Sequence, residues 1–544
     1  MTPKSQSDRW VSYLSVYERA TYLFITIVAV IYICYHVYTD SLRYDGILNL
    51  YDFAPGWSFL GREQDISDFE WHYWFNKFWA ISPWYLGHIC LSKIMENHSF
   101  RSKKFVYTVY SFVALSKLVG WQIVVLILVH AAVMFVASLS EWPSLVWIAS
   151  LALLSTLNLE ACVNVMKGFL EGDDEDTLYY LLMFTIALSN IRLTSFFLER
   201  CWQRNKKYSN PTSDRPKDDT LTSEDSIYIQ RGVEVQGQSE VMGYSFSDVV
   251  FYVMYLPLFF TGPILTYDLF RKQLNEARAK MTSVPNGRIC LRVLRFISWA
   301  YFNEFILHYF YFHALQSRIQ VLDNVSKFTL AGLGFCHGQF FMLKYHVMFG
   351  YPGTVARFDN LEAPDGPKCI SYIYLYSDMW KFFDRGLYSF LKRYIYIPCG
   401  GSKEGFLRQV IGSLMCFMYI FYWHGAEYYI LLFILLNYAG VSLEIFGALI
   451  CRTTVVKRLE TDILSRAMVQ RVHGMFSIPI FLMSCISVFC FFGGKEVGYL
   501  FYRRLILDNN LSSWLLLIFL VFCAIQNAIE VNKWLQRRQK LKTN

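Results

Sequence analysis

The sequence predicts an all-α, polytopic membrane protein of about ten transmembrane helices, with re-entrant or interfacial helices beside them. Three observations predict it. Of 544 residues, 54% are hydrophobic and 17% are charged, whereas a water-soluble domain carries about 25% charged residues. Apolar runs of roughly 20 residues, the length a helix needs to cross the hydrocarbon core, recur along the chain. Aromatic residues are abundant, with 38 Tyr, 46 Phe and 15 Trp, as suits many helix ends at headgroup depth. The net charge of +8 fits basic cytoplasmic loops. The bases are scattered between apolar spans, which argues against a nucleic-acid surface.

In chain order, residues 1 to 20 are polar, and the first apolar run, Thr21 to Tyr38, is long enough to stay as a signal anchor. Further runs lie near 121–139, 143–159, 178–197, 246–266, 289–315, 328–349, 405–422, 427–450, 474–492 and 512–530. The stretch 66–95 is rich in Trp and Tyr but interrupted by Pro83, and it reads as re-entrant or interfacial. Residues 203–243 begin with Arg204, Lys206 and Lys207 and hold few large apolar side chains. They are expected to form a mobile cytoplasmic loop. Arg101, Lys103 and Lys104 mark a second cytoplasmic edge. The organisation is thus N-terminal transmembrane helices over 1–202, a hydrophilic loop over 203–243, a core over 244–532 and a basic cytoplasmic tail over 533–544.

That tail carries Lys533, Arg537, Arg538, Lys540 and Lys542, and its end has the lysine-x-lysine-x-x form of an endoplasmic-reticulum retrieval signal. An ordinary positive-inside flank explains the same lysines equally well. The thirteen cysteines form no CxxC pair and no zinc spacing, and most lie in apolar segments as small packing residues.

His424 is the most informative single residue. It follows the apolar run Phe417-Met-Tyr-Ile-Phe-Tyr-Trp and precedes Gly425. An ionisable group at membrane depth faces an internal cavity as a rule, and imidazole suits proton transfer near neutrality. A hydrogen-bonding group between helices is the plainer reading of the same position. Asp384, beside Arg385 in an aromatic setting, is either an interfacial ion pair or a carboxylate that orients a substrate amine. The segment Ile370 to Pro398 interleaves Lys381, Arg385, Lys392 and Arg393 with Phe383, Leu387, Leu391 and Tyr394 at helical spacing. It suits a helix at the interface whose bases meet either lipid headgroups or the phosphates of a coenzyme A substrate. His36, His130, His308, His313, His337 and His346 show no metal spacing with a carboxylate and read as packing or hydrogen-bonding residues. No glycine-rich phosphate loop and no nucleophile elbow is present.

The segment from Asp378 through Asp384 and Arg385 to Pro398, the following Gly400-Gly-Ser, and Tyr422-Trp-His424-Gly resemble the membrane-bound O-acyltransferase superfamily. So do Leu256-Pro-Leu-Phe-Phe-Thr-Gly262-Pro263 and Phe492-Gly-Gly-Lys-Glu-Val-Gly-Tyr, and the match is closest to the hedgehog N-acyltransferases, the protein-cysteine N-palmitoyltransferases. The 40-residue interval from Asp384 to His424 agrees (424 − 384). The resemblance covers most of the chain from about Tyr244 onward and is weakest over 203–243.

It implies the fold of that superfamily, His424 and Asp384 as the catalytic pair, and Cys369 as the ligand of a haem b iron. Lys381 and Arg385 become contacts for coenzyme A phosphates. Lys381 stands where an arginine is expected, and Asp378 adds an acid nearby. The implied reaction moves palmitate from palmitoyl-CoA to the N-terminal cysteine amine of a secreted protein, hedgehog-type first and a growth-factor ligand second. It would run in the endoplasmic reticulum membrane or the Golgi, among membrane lipids. The alternatives are a superfamily enzyme with a lipid or serine hydroxyl acceptor, and a silent scaffold, which retention of both residues disfavours. A transporter is disfavoured by the lack of matching broken helices in two halves.

Overall fold

A computed structural model describes residues 12–48, 50–170, 175–204, 242–279 and 286–543. The polar N-terminus, nearly all of the hydrophilic loop and the side chains of the tail beyond 538 therefore lie outside the described residues. The architecture is helical, with one short antiparallel pairing of Phe53–Ala54 against Gln64–Asp65. Among the described residues, seven helices are long and apolar enough to cross a membrane, or eight if the bent pair Pro143–Ser155 and Glu160–Phe169 is one broken span. The first, Val16–Arg43, leaves Leu23, Phe24 and Ile31 about half to two-thirds exposed. Apolar side chains facing outward in this way need lipid around them. The chain is a multi-pass membrane protein.

Three of the expected apolar runs fold differently. Pro257, Gly262 and Pro263 divide 246–266 into the helices Phe246–Val253 and Leu256–Phe259 and an extended segment, because proline lacks the donor that helix propagation needs. Asn286–Leu307 holds Arg288, Arg292, Arg295 and Glu304, and Lys327–Ala356 carries His337, Lys344 and His346. Both helices are long, but too polar to be counted as spans by composition. The stretch 66–95 is not broken at Pro83. It forms one helix, Phe69–Ile94, whose Trp71, Tyr73, Trp74 and Tyr85 are buried, so packing overrides the local cost of the proline. The sharp bend lies instead in the Pro143–Phe169 region, at 73°.

The N-terminal helices are tied to the core through one buried carboxylate. Asp359 accepts from Tyr255 (2.6 Å), Tyr107 (2.7 Å) and Ser92 (2.7 Å), and its other close neighbours are His88 Nε2 (2.8 Å) and Lys103 Nζ (3.4 Å). A charge removed from water is tolerated only when its lone pairs are filled in this manner.

Candidate active site

His424 occupies the short joint between two spans, Phe406–Trp423 and Tyr428–Cys451. The first helix ends because Gly425 and Ala426 take positive φ, +100° and +57°, with the N–H of Ala426 returning to the carbonyl of Phe421. Glycine adopts that backbone region without penalty. The turn leaves the imidazole half-buried, edge-on to Trp423 (centroids 4.7 Å) and to Phe491 (5.5 Å). Trp423 is itself held, its Nε1 donating to the carbonyl of Ala187 at 3.0 Å. Phe491 sits just before Gly494, where a left-handed φ of +73° kinks the Arg466–Tyr502 helix.

Two cavities meet at this ring. The first, about 970 Å³, is the more polar of the two and is lined by Asp68, Glu70, Asn158, His313, Lys344 and Glu496 beside several apolar side chains. The second, about 1620 Å³, is lined mainly by apolar side chains from the first helix, the 370–396 segment and the last three long helices. His424 lines both, and the other shared residues are aromatic or aliphatic, Tyr345 being the one with a hydroxyl.

Asp384 lines the apolar cavity together with His424. It breaks the expected 370–398 helix in two, Tyr376–Phe383 and Arg385–Leu391, and caps the second by accepting the N–H of Leu387 at 2.9 Å. Burial pushes its carboxyl up to about 6, against the backbone N–H groups of Leu387 and Gly386, which stabilise the anion. The turn sits where it does because Gly386 has no side chain: a Cβ there would lie 2.2 Å from the carbonyl oxygen of Ile264. Phe383, Leu387 and Leu391 face the same cavity at four-residue spacing, as expected for one side of an interrupted helix.

The basic residues of this segment divide. Lys381 and Lys392 line the apolar cavity, whereas Arg385 does not. Arg393 is committed elsewhere, at 2.7 Å from Glu199 and 3.3 Å from Asp268. Cys369 is a half-buried free thiol ahead of the turn Ile370–Tyr372 and lines neither cavity. Among the described residues, the two cavities are not lined by that sulfur, although Ile370, Ser371 and Tyr372 beside it line the second.

The polar chamber was not legible in the sequence. Lys344 lies 2.8 Å from Asp68 and 2.9 Å from Glu70, and Tyr345 donates to Glu70 at 3.0 Å. Burial alone would raise the Asp68 carboxyl, but Lys344 and then His313 hold it down at about 2. His313 is set in place from the backbone, where the N–H groups of His313 and Ala314 donate to Asp65 at 3.0 and 3.1 Å. Asp68 lies 276 residues from Lys344, and His313 belongs to a different helix from Lys344, so no local pattern announces the cluster. Of the other histidines, His337 also lines this chamber, while His308 bonds the N–H of Trp57 (2.9 Å) and His36 packs on Phe328.

The model of the membrane-bound O-acyltransferase family matches residues 143–493. The chain is similar to the protein-cysteine N-palmitoyltransferase HHAT of Mus musculus, 29% identical over 92% of this chain and 95% of that protein. It is similar to the protein-cysteine N-palmitoyltransferase Rasp of Drosophila melanogaster, 26% identical over 88% and 87%. It is also similar to the membrane-bound O-acyltransferase GUP1 of Saccharomyces cerevisiae, 23% identical over 82% and 78%.

Proposed function

The chain belongs to the membrane-bound O-acyltransferase family, and we propose that within it the protein moves palmitate from palmitoyl-CoA to the α-amine of an N-terminal cysteine on a secreted, hedgehog-type protein. The observation that carries this reading is the position of His424 between a polar chamber and an apolar cavity. The apolar cavity takes the acyl chain with the thioester at the His424 end, and Lys381 and Lys392 attract the phosphates of the coenzyme. The polar chamber takes the peptide terminus. Its carboxylates Asp68, Glu70 and Glu496 outnumber the ammonium groups of Lys344 and Lys495 by one, which suits a cationic N-terminus.

In the reaction the amine nitrogen bonds the acyl carbonyl carbon, the carbon–sulfur bond breaks, and coenzyme A leaves with the electron pair. An α-amine has a pKa of about 7.7–8.0 and arrives largely protonated. Asp384, as a carboxylate above about pH 6, holds the ammonium and accepts a proton. His424 hydrogen-bonds the carbonyl oxygen or relays a proton to the leaving sulfur. Such general acid–base assistance is worth about 10²–10⁴-fold, and holding both reactants in one cavity adds to it. Cys369 as a haem ligand rests on the family resemblance alone. The endoplasmic reticulum membrane is the proposed location, supported by the similarity to HHAT.

Similarity to GUP1, a membrane-bound O-acyltransferase by name, favours a second reading in which a hydroxyl is the acceptor. The two separate in one assay. Purified protein is given palmitoyl-CoA and an N-terminal cysteine peptide, with the α-amine free or acetylated. Hydroxylamine-stable palmitate on the free peptide and none on the acetylated one is expected. Transfer only to a lipid or serine hydroxyl would replace the first reading by the second.

A further inference from the structure

We propose that Cys451, Glu460 and His473 form a binding site for a divalent transition metal of the zinc class, at the turn joining the Tyr428–Cys451 helix to the Arg466–Tyr502 helix. One ligand atom from each residue lies within 4.8 Å of the other two. The His473 Nε2 and Glu460 Oε1 atoms are already 2.7 Å apart. Thiolate, imidazole and carboxylate together are a zinc donor set. A thiol and an imidazole also select against calcium and magnesium, which take oxygen ligands.

The distances are within reach of coordination. Around a tetrahedral ion with metal–sulfur near 2.3 Å and metal–nitrogen or –oxygen near 2.0–2.1 Å, donors stand about 3.3–3.6 Å apart. The widest pair therefore has to close by little more than about 1 Å, and the His473–Glu460 pair to open by less. The side chains have room for this: that of His473 is 50% exposed and that of Glu460 25%. The same exposure supplies an entry path and a water for the fourth position.

The donors come from three consecutive pieces of chain. Cys451 closes one helix, Glu460 stands on the π-helical turn Leu459–Ile463, and His473 lies two turns into the next helix. One ion would pin the whole connection. Arg452, Lys457, Arg458 and Arg466 flank the turn, yet they do not oppose it electrostatically, because one thiolate and one carboxylate cancel the charge of a dication. A bare His–Glu hydrogen bond accounts for two of the residues but leaves the convergent thiol without a role. Sequence spacing concealed the site, since its ligands mix three residue types over 23 positions (451 to 473). The neighbouring Arg452 lines the apolar cavity, so the pinned turn also borders the proposed acyl site. That link rests on the function proposed above, whereas metal binding does not.

The test uses the full chain purified in detergent, stripped with a chelator and titrated with Co²⁺. One equivalent is expected, with visible d–d bands and a near-ultraviolet thiolate-to-cobalt band that Zn²⁺ abolishes. Cys451→Ser should lose the thiolate band, and Glu460→Gln and His473→Ala should each weaken binding at least tenfold, with gel-filtration profiles unchanged. Wild-type protein that binds no cobalt overturns the proposal whatever the variants do. A spectrum retained in both Cys451→Ser and His473→Ala also overturns it, by placing the metal elsewhere. Neither outcome touches the acyl-transfer reading, which has its own assay.

Discussion

Adding a single methyl group at Gly386 is expected to disable the enzyme without touching either proposed catalytic side chain. The new Cβ would sit 2.2 Å from the carbonyl oxygen of Ile264, where ordinary contact begins at 3.4 Å. The backbone must therefore yield by about 1.2 Å (3.4 − 2.2), and the atom in the way is main chain, which cannot swing aside. Asp384 lies two residues earlier and is locked to this turn through the N–H of Leu387. A displacement of about 1 Å at a reacting group costs on the order of 10²-fold. Gly386→Ala should thus lose about 10²-fold in kcat, and overpacking should cost about 1–3 kcal/mol of stability. The assay is palmitoyl transfer to an N-terminal cysteine peptide, alongside thermal unfolding in detergent. Gly447→Ala serves as control, because nothing lies within 4 Å of its added Cβ. A Gly386→Ala enzyme with wild-type kcat would refute the role given to this turn.

Asp384 predicts a pH profile. Because Asp384 must be ionised to take a proton from the bound ammonium, log kcat/KM should be level between about pH 6 and the amine pKa of about 7.7, fall with a slope near one below about pH 6 as Asp384 takes its proton, and fall again above the amine pKa. A slope unchanged through pH 6 would exclude Asp384 as the group that must be ionised. The stability effect has a definite sign: the folded state holds this proton more tightly than the unfolded chain, so Asp384 lowers stability as pH rises from 3.8 to about 6. Asp359→Ala strips five partners of their shared carboxylate and should destabilise the fold by about 3–5 kcal/mol, read as a loss of monodisperse protein. If Cys369 ligates haem, the purified protein shows a Soret band that Cys369→Ser removes, and a wild-type preparation lacking the band contradicts the ligation.

The sequence disclosed what is local. His424 stood out because ionisable groups at membrane depth usually face a cavity, and Asp384 because a carboxylate stands beside Arg385 in an aromatic setting, but the pairing of the two came only from the family resemblance. Spans were legible wherever composition alone decides them. The helix Lys327–Ala356 was harder to classify, since His337, Lys344 and His346 are inward-facing polar residues whose partners lie on other helices. The polar chamber was invisible for the same reason. Asp68, His313 and Lys344 become one cluster only after the chain brings the segment around Asp68 back to helices more than two hundred residues later. Pro83 does not interrupt the Phe69–Ile94 helix, because its aromatic packing outweighs one missing hydrogen bond, and the helix is not among the apolar spans.

The most direct test of the central claim is amide-linked palmitate formed by the wild-type protein on a free N-terminal cysteine peptide, measured beside His424→Ala with acyl-CoA binding followed in both. The account predicts hydroxylamine-stable product from the wild type, a loss of about 10²–10⁴-fold in the variant, and donor binding that persists. Undiminished transfer by His424→Ala would contradict it, as would a folded wild type that binds palmitoyl-CoA and leaves the amine untouched.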